Sequence, residues 1–203
     1  MRQVIALGGG GFSMEPENPL LDRYILEQCA KENPKVCFIG TASGDAEGYI
    51  ERFYNFFRME ECEPTHLSLF KPHTRDIKNF LMEQDILYVG GGNTKNLMTL
   101  WREWEIDVAI RQAYEKGTIL AGLSAGSLCW FEDGITDSYG AELEPISCLG
   151  ILRGSHCPHY DGVALHFLDE ELHKIVSSRE HAKGYRVDKD KESILTTRYL
   201  GVK

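Results

Sequence analysis

The chain has no paired cysteines, no block of basic residues and no apolar run of membrane-spanning length. Each absence excludes something. The six cysteines (Cys29, Cys37, Cys62, Cys129, Cys148 and Cys157) stand singly. They build neither a disulfide framework nor a C-x-x-C metal or redox motif, and they fit free thiols in a reducing cytoplasm. A net charge of −9 without a clustered basic face argues against a nucleic-acid partner. The missing apolar run argues against a membrane partner. The N-terminus MRQVIALGGGG is too short and too glycine-broken for a signal peptide. Repeats, low-complexity tracts and linkers are also lacking. At 203 residues the chain is expected to form a single domain, 1–203.

What is present is alternation. QVIALGG reads as a buried strand, and NPLLDRYILEQCAKEN places Leu21, Ile25 and Cys29 at helix spacing. The pairs KVCFIGTAS with AEGYIERFYNFFRME, and THLSLF with DIKNFLMEQ, repeat the pattern. DILYVGGG then leads into NTKNLMTLW, and EIDVAIRQAYEKG precedes a further strand, TILAGL. Near-continuous apolar strands alternating with helices predict an α/β fold with a mostly parallel sheet covered on both faces. Sites in such sheets lie at the carboxyl ends of the strands.

Three turns fall at those ends: Gly8–Gly11, Gly90–Asn93 and the stretch around Ser124. The first lacks a clean G-x-G-x-x-G at a helix start and an acidic residue closing the next strand, so a packed turn is preferred to a dinucleotide loop. In the second, three glycines expose backbone N–H groups that suit an anion. Asn93 reads both as the N-cap of the following helix and as a candidate substrate-binding residue. The third, Gly122-Leu123-Ser124-Ala125-Gly126, has the G-x-S-x-G pattern of a nucleophile elbow. An ordinary strand-to-helix turn with small residues is the alternative. If the elbow is real, the N–H of Ala125 and one from the Gly90–Asn93 loop are the expected oxyanion donors.

A base and an acid should follow. Downstream lie Asp133, Asp137, His156, His159 and Asp161. Histidine is needed because its pKa lets it take and return a proton near neutrality. The cluster His156, Cys157, His159, Asp161 also invites a metal reading. No H-E-x-x-H pattern accompanies it and Pro158 interrupts it, so no metal or other cofactor is expected. His166 and His173 read as surface or satisfied histidines, and His66, His73 and His181 carry no signal.

ILYVGGGNTKNLM, ILAGLSAGSLCWF and CPHYD, in that order on this scaffold, resemble the peptidase E and cyanophycinase family of serine peptidases, in its peptidase-E-like branch. The likeness runs from the first strand to about Val187. It implies a flavodoxin-like three-layer sandwich similar to class I glutamine amidotransferases. It further implies Ser124 as nucleophile, His159 as base, Asp137 as the orienting acid, and Gly91 and Ala125 as oxyanion donors. Short peptides are the implied substrates, with a preference for N-terminal aspartate, handled by a monomer or homodimer. An acidic substrate group needs a local cation, for which Arg153 is the visible candidate. Asp161 competes with Asp137 for the acid role, and His156 is expected to play a supporting part.

One departure stands out. If GVALHF is a parallel strand, it needs a crossover of about a dozen residues, yet only Asp161 and Gly162 separate it from CPHY. Either the branch is pared down or a segment is absent from the chain; the second is expected, and a similar loss could lie within VDKDKESIL. A G-x-S-x-G esterase and a non-catalytic small-molecule-binding homologue are the rival functions.

Overall fold

A computed structural model describes residues 1–140, 142–158, 162–189 and 191–201. Strands β1 (Gln3–Leu7), β2 (Lys35–Ile39), β3 (Glu63–Leu67), β4 (Ile86–Val89) and β5 (Ile119–Leu123) pair in parallel, in spatial order β1-β5-β4-β2-β3. Helices α1 (Gly11–Met14), α2 (Leu20–Glu27), α3 (Glu47–Phe57), α4 (Ile77–Met82), α5 (Thr94–Glu103), α6 (Ile106–Lys116) and α7 (Ala125–Leu128) follow or connect these strands. The alternation predicted from the sequence is therefore present through α7.

Beyond α7 the architecture changes. β6 (Phe131–Thr136), β7 (Glu144–Ser147) and β8 (Leu152–His156) form a separate three-stranded sheet in the order β7-β6-β8. β9 (Val163–Leu168) returns to the main sheet and pairs antiparallel with β1, and β10 (Glu171–Ser177) pairs antiparallel with β9. β11 (Gly184–Asp188) and β12 (Lys191–Leu195) make a hairpin, and the short β13 (Arg198–Tyr199) lies parallel to β10. The eight-stranded sheet is mixed but mostly parallel, as expected, with β9 alone running antiparallel to both its neighbours.

This corrects the crossover argument. GVALHF is β9, and it runs antiparallel to β1 after leaving a different sheet, so no parallel crossover is needed before it. VDKDKESIL spans the β11–β12 hairpin, with Asp188 opposite Lys191.

Successive strand residues feed two cores, as the two-residue side-chain period requires. Val4, Cys37, Ile39, Leu87, Val89 and Leu120 join one core with α5 and α6. Ile5, Phe38, Tyr88 and Ala121 join the other with α2 and α3. α3 contributes Tyr49, Phe53 and Phe57, spaced four apart so that they stack along one helix face. Into this aromatic set Phe12 inserts edge-on against Phe38, Phe53, Phe57 and Tyr88, with ring centroids 5.3–5.8 Å apart.

Phe12 explains the Gly8–Gly11 turn. The turn drops Phe12 into the core, and the buried Asp22 accepts the Phe12 N–H at 2.7 Å and the Tyr88 hydroxyl at 3.0 Å. Its work is packing, in line with the preference for a packed turn over a dinucleotide loop.

Candidate active site

Ser124 follows β5 and precedes α7, with φ 52° and ψ −118°. That is the first central position of a type II′ turn, a place glycine normally holds. The Ser124 N–H donates to the Leu7 carbonyl at 3.1 Å, which ties the turn to the end of β1. Gly122 and Gly126 make the corner possible. A Cβ on Gly126 would stand 2.2 Å from the Val89 carbonyl oxygen, and one on Gly122 would stand 2.3 Å from the Gly126 carbonyl oxygen. Both are far inside van der Waals contact with backbone that cannot swing away. Close approach of α7 to β4 and β5 thus dictates the small residues, and the serine is left at a strained, partly exposed corner.

The loop after β4 lies alongside. The Cβ position of Gly91 is 3.2 Å from the Ser124 Cβ. The Ala125 N–H is the first amide of α7, for which a helix supplies no acceptor. The Gly91 N–H is different, because it donates to the Tyr49 hydroxyl at 3.1 Å. Tyr49 is buried and also bonded by Ser13, and burial raises its pKa, so the phenol is neutral. An oxyanion at Gly91 must therefore share or displace that phenol.

Asn93 is occupied as the N-cap of α5. Its Oδ1 accepts the Asn96 N–H at 2.8 Å, and its Nδ2 donates to the Ser138 carbonyl at 3.0 Å. Ser138 returns the contact by accepting the Thr94 N–H on its Oγ at 2.8 Å. These bonds pull the turn after β6 against the start of α5. Asp137, which is exposed, is thereby held beside the glycine loop that borders Ser124.

His159 and Asp161 lie outside the described residues. His156 lies within them, at the end of β8. Its Nε2 is 3.1 Å from the Ser127 Oγ, and its ring stacks on Phe131 at 4.6 Å and 14°. Burial pushes its pKa down to about 4. Asp133 accepts the Ser147 hydroxyl at 2.8 Å across β6 and β7, which makes it a sheet residue. His166 is a satisfied core histidine between Tyr24 and Gln3, at 2.7 and 3.0 Å. No group of three or more metal-ligating side chains occurs among the described residues.

Arg153 requires a correction. It lines a cleft with Phe167, Asp169, Glu170 and Leu172. β9 meets the start of β1 there, since Leu168 pairs with Gln3, whereas Ser124 follows Leu123, which pairs with Leu7 at the other end. Carboxylates neighbour Arg153, and Ser124 lies at the opposite end of these strands. A second cleft of about 480 Å³ opens at the Ser124 end, lined by Gly8, Phe131, His156, Pro158, Lys183 and Tyr185 among others. Among the described residues its charged side chains are Lys183 and Glu192.

Sequence reasoning missed Tyr49 and Ser138, which lie far from the motifs in sequence and meet them only through the fold. Ser127 carried a local signal, standing three residues after Ser124 on the same short helix.

The model of peptidase family S51 matches residues 4–197. The chain belongs to peptidase family S51. It is 48% identical to the uncharacterized peptidase YgaJ of Bacillus subtilis (strain 168), over 99% of this chain and 100% of YgaJ. That alignment spans 231 positions against 203 residues here, so YgaJ carries internal residues without a counterpart in this chain. The fold is shared with a peptidase from an acI-B1 Actinobacterium, at TM-score 0.66 and 15% identity, covering 97% of this chain and 95% of that one. It is also shared with a Listeria monocytogenes EGD-e protein assigned to peptidase E, at TM-score 0.60 and 15% identity, covering 82% and 94%. Family membership makes this S51 chain a serine peptidase, as the motifs led one to expect. No helix among the described residues is long and apolar enough to cross a membrane.

Proposed function

We propose that this S51 peptidase is an exopeptidase for short peptides, with Ser124 as nucleophile, His159 as base and Asp137 as the acid that orients it. The observation that carries the reading is the strained corner at Ser124, packed between two glycines at the carboxyl end of β5. Ser124 Oγ attacks the scissile carbonyl, and His159 takes its proton and returns it to the leaving amine. The Ala125 N–H receives the developing oxyanion, and Gly91 joins it once the Tyr49 hydroxyl yields. The anchoring of the Ser138 turn to α5 supports Asp137 as the acid, because it keeps that loop at the nucleophile's end of the sheet.

We further read the chain as one flavodoxin-like three-layer domain, monomeric or homodimeric, working in the cytoplasm on dipeptide-sized substrates with an acidic N-terminal residue. Compact clefts at strand ends favour short substrates over extended ones. Lys183 takes the place first given to Arg153 as the cation facing an acidic substrate group.

The test pairs a fluorophosphonate probe with peptide and p-nitrophenyl ester panels. Labelling at Ser124 with turnover of short peptides is expected. Absence of labelling marks a non-catalytic homologue, and turnover of esters alone marks an esterase. Cleavage at internal bonds of a denatured protein would overturn the exopeptidase assignment.

A further inference from the structure

We propose that His156 and Ser127 form a clamp that positions the Ser124 elbow, with His156 donating from Nε2–H to the Ser127 hydroxyl. The proposal rests on the serine-peptidase reading for its catalytic consequence, but its geometry stands without it. The Ser124 carbonyl receives three donors: the N–H groups of Ser127 and Leu128, each at 2.9 Å, and the Ser127 hydroxyl at 2.8 Å. A serine hydroxyl has one proton, and the Ser124 carbonyl at 2.8 Å is the nearer of its two partners, so the proposal assigns the proton to that carbonyl. With the proton placed there, the remaining contact of Ser127 Oγ, to His156 Nε2 at 3.1 Å, is one in which the ring donates. That fixes the imidazole as the Nε2–H tautomer.

The ring cannot easily turn away. It lies flat on Phe131, itself buried on β6, and the His156 backbone carbonyl packs against Gly134 of the same strand. Ser127 is fully buried, so its hydroxyl has no water to substitute for either partner. The contact needs a proton on Nε2, and because burial keeps the ring neutral at physiological pH, that proton defines the tautomer.

The clamp joins two elements that the reaction needs in register. Ser127 sits on α7, whose first residue follows the nucleophile. His156 closes β8, three residues before His159 in sequence. A hydrogen bond between them fixes the start of the histidine-bearing segment relative to the elbow. Displacement of reacting groups by about 1 Å costs about a hundredfold in rate. His156 is thus a positioning residue that acts through Ser127, with no proton transfer of its own.

The experiment compares Ser127→Ala, His156→Phe, the double variant and His156→Gln. His156→Phe keeps the stack on Phe131 without the donor, and His156→Gln places an amide N–H where Nε2 stood. Expected are a fall in kcat and in the fluorophosphonate labelling rate of about tenfold in each of the first two, with KM nearly unchanged. The double variant should be no worse than either single one, and His156→Gln should recover most of the labelling rate. A parallel ¹⁵N spectrum of the wild-type imidazole should show the proton on Nε2. Additive losses, unchanged labelling in Ser127→Ala, or a proton on Nδ1 would overturn the clamp. If wild-type Ser124 never labels, it is the serine-peptidase reading that fails, and the ¹⁵N signal still decides the clamp.

Discussion

Ser124 holds φ 52° and ψ −118°, a conformation in which a non-glycine residue is strained. Such strain costs about 1–3 kcal/mol and persists only where the surroundings enforce it, here the two flanking glycines and the Leu7 carbonyl. If Ser124 is the nucleophile we propose, stability and chemistry pull in opposite directions at this position. Ser124→Ala should keep the strain and lose hydrolysis by about three orders of magnitude or more. Ser124→Gly should lose hydrolysis equally, yet raise the melting temperature by about 2–4 °C per kcal/mol of strain relieved. Thermal scans of both variants beside peptide turnover check this. A glycine variant no more stable than the alanine variant would show that the corner stores no strain, and near-native turnover in either would remove Ser124 from the mechanism.

At the scale of elements, the five parallel strands and the helices through α7 were legible because each kept its own period: apolar runs for buried strands, and three- and four-residue spacing for helices such as α3. The elbow was legible because glycine is the only residue that tolerates 2.2 Å between a notional Cβ and the Val89 carbonyl. The second half was not legible in the same way. β9 is as apolar as a parallel strand because β1 and β10 flank it and a core covers it, so composition does not reveal its direction. Its turn into β10 uses Asp169 and Glu170, both at positive φ, in place of the glycine or asparagine that would announce a hairpin. Arg153 misled for a related reason, since charge alone does not say at which end of a sheet a residue stands. The packing at the elbow yields its own expectation. Gly126→Ala must push α7 off β4, and should destabilise the protein by about 3 kcal/mol or more and abolish probe labelling. Gly140→Ala, where nothing stands within 4 Å of the notional Cβ, is the control, strained only by its φ of 154°. Equal denaturation midpoints for the two would mean that the close approach of helix to strand does not constrain the elbow.

For the whole molecule, buried titratable groups set how stability changes with pH, and they oppose one another. Burial lowers His156 and His166 from 6.5 to about 4. The unfolded chain therefore binds protons on both in this range while the folded chain does not. Their contribution is intact above about pH 6.5 and is lost as the pH falls toward 4. Asp22 runs the other way. Desolvation raises it to about 7, against the bonds from Tyr88 and Phe12 that lower it. The folded chain then holds a proton that the unfolded chain releases above 3.8, and the stability this gives is lost as the pH rises toward 7. Between about pH 4.5 and 6, these two histidines outweigh one carboxyl, and His66, also lowered by burial, adds in the same direction. Stability should therefore climb with pH by about 1 kcal/mol per unit or somewhat more. Asp22→Asn removes the opposing group and should make that climb roughly twice as steep. His166→Gln removes one histidine and should make it clearly shallower. Urea midpoints at half-unit pH steps measure all three slopes. If Asp22→Asn leaves the slope unchanged, Asp22 is ionised in the folded protein, and the Gly8–Phe12 turn is anchored on a buried negative charge.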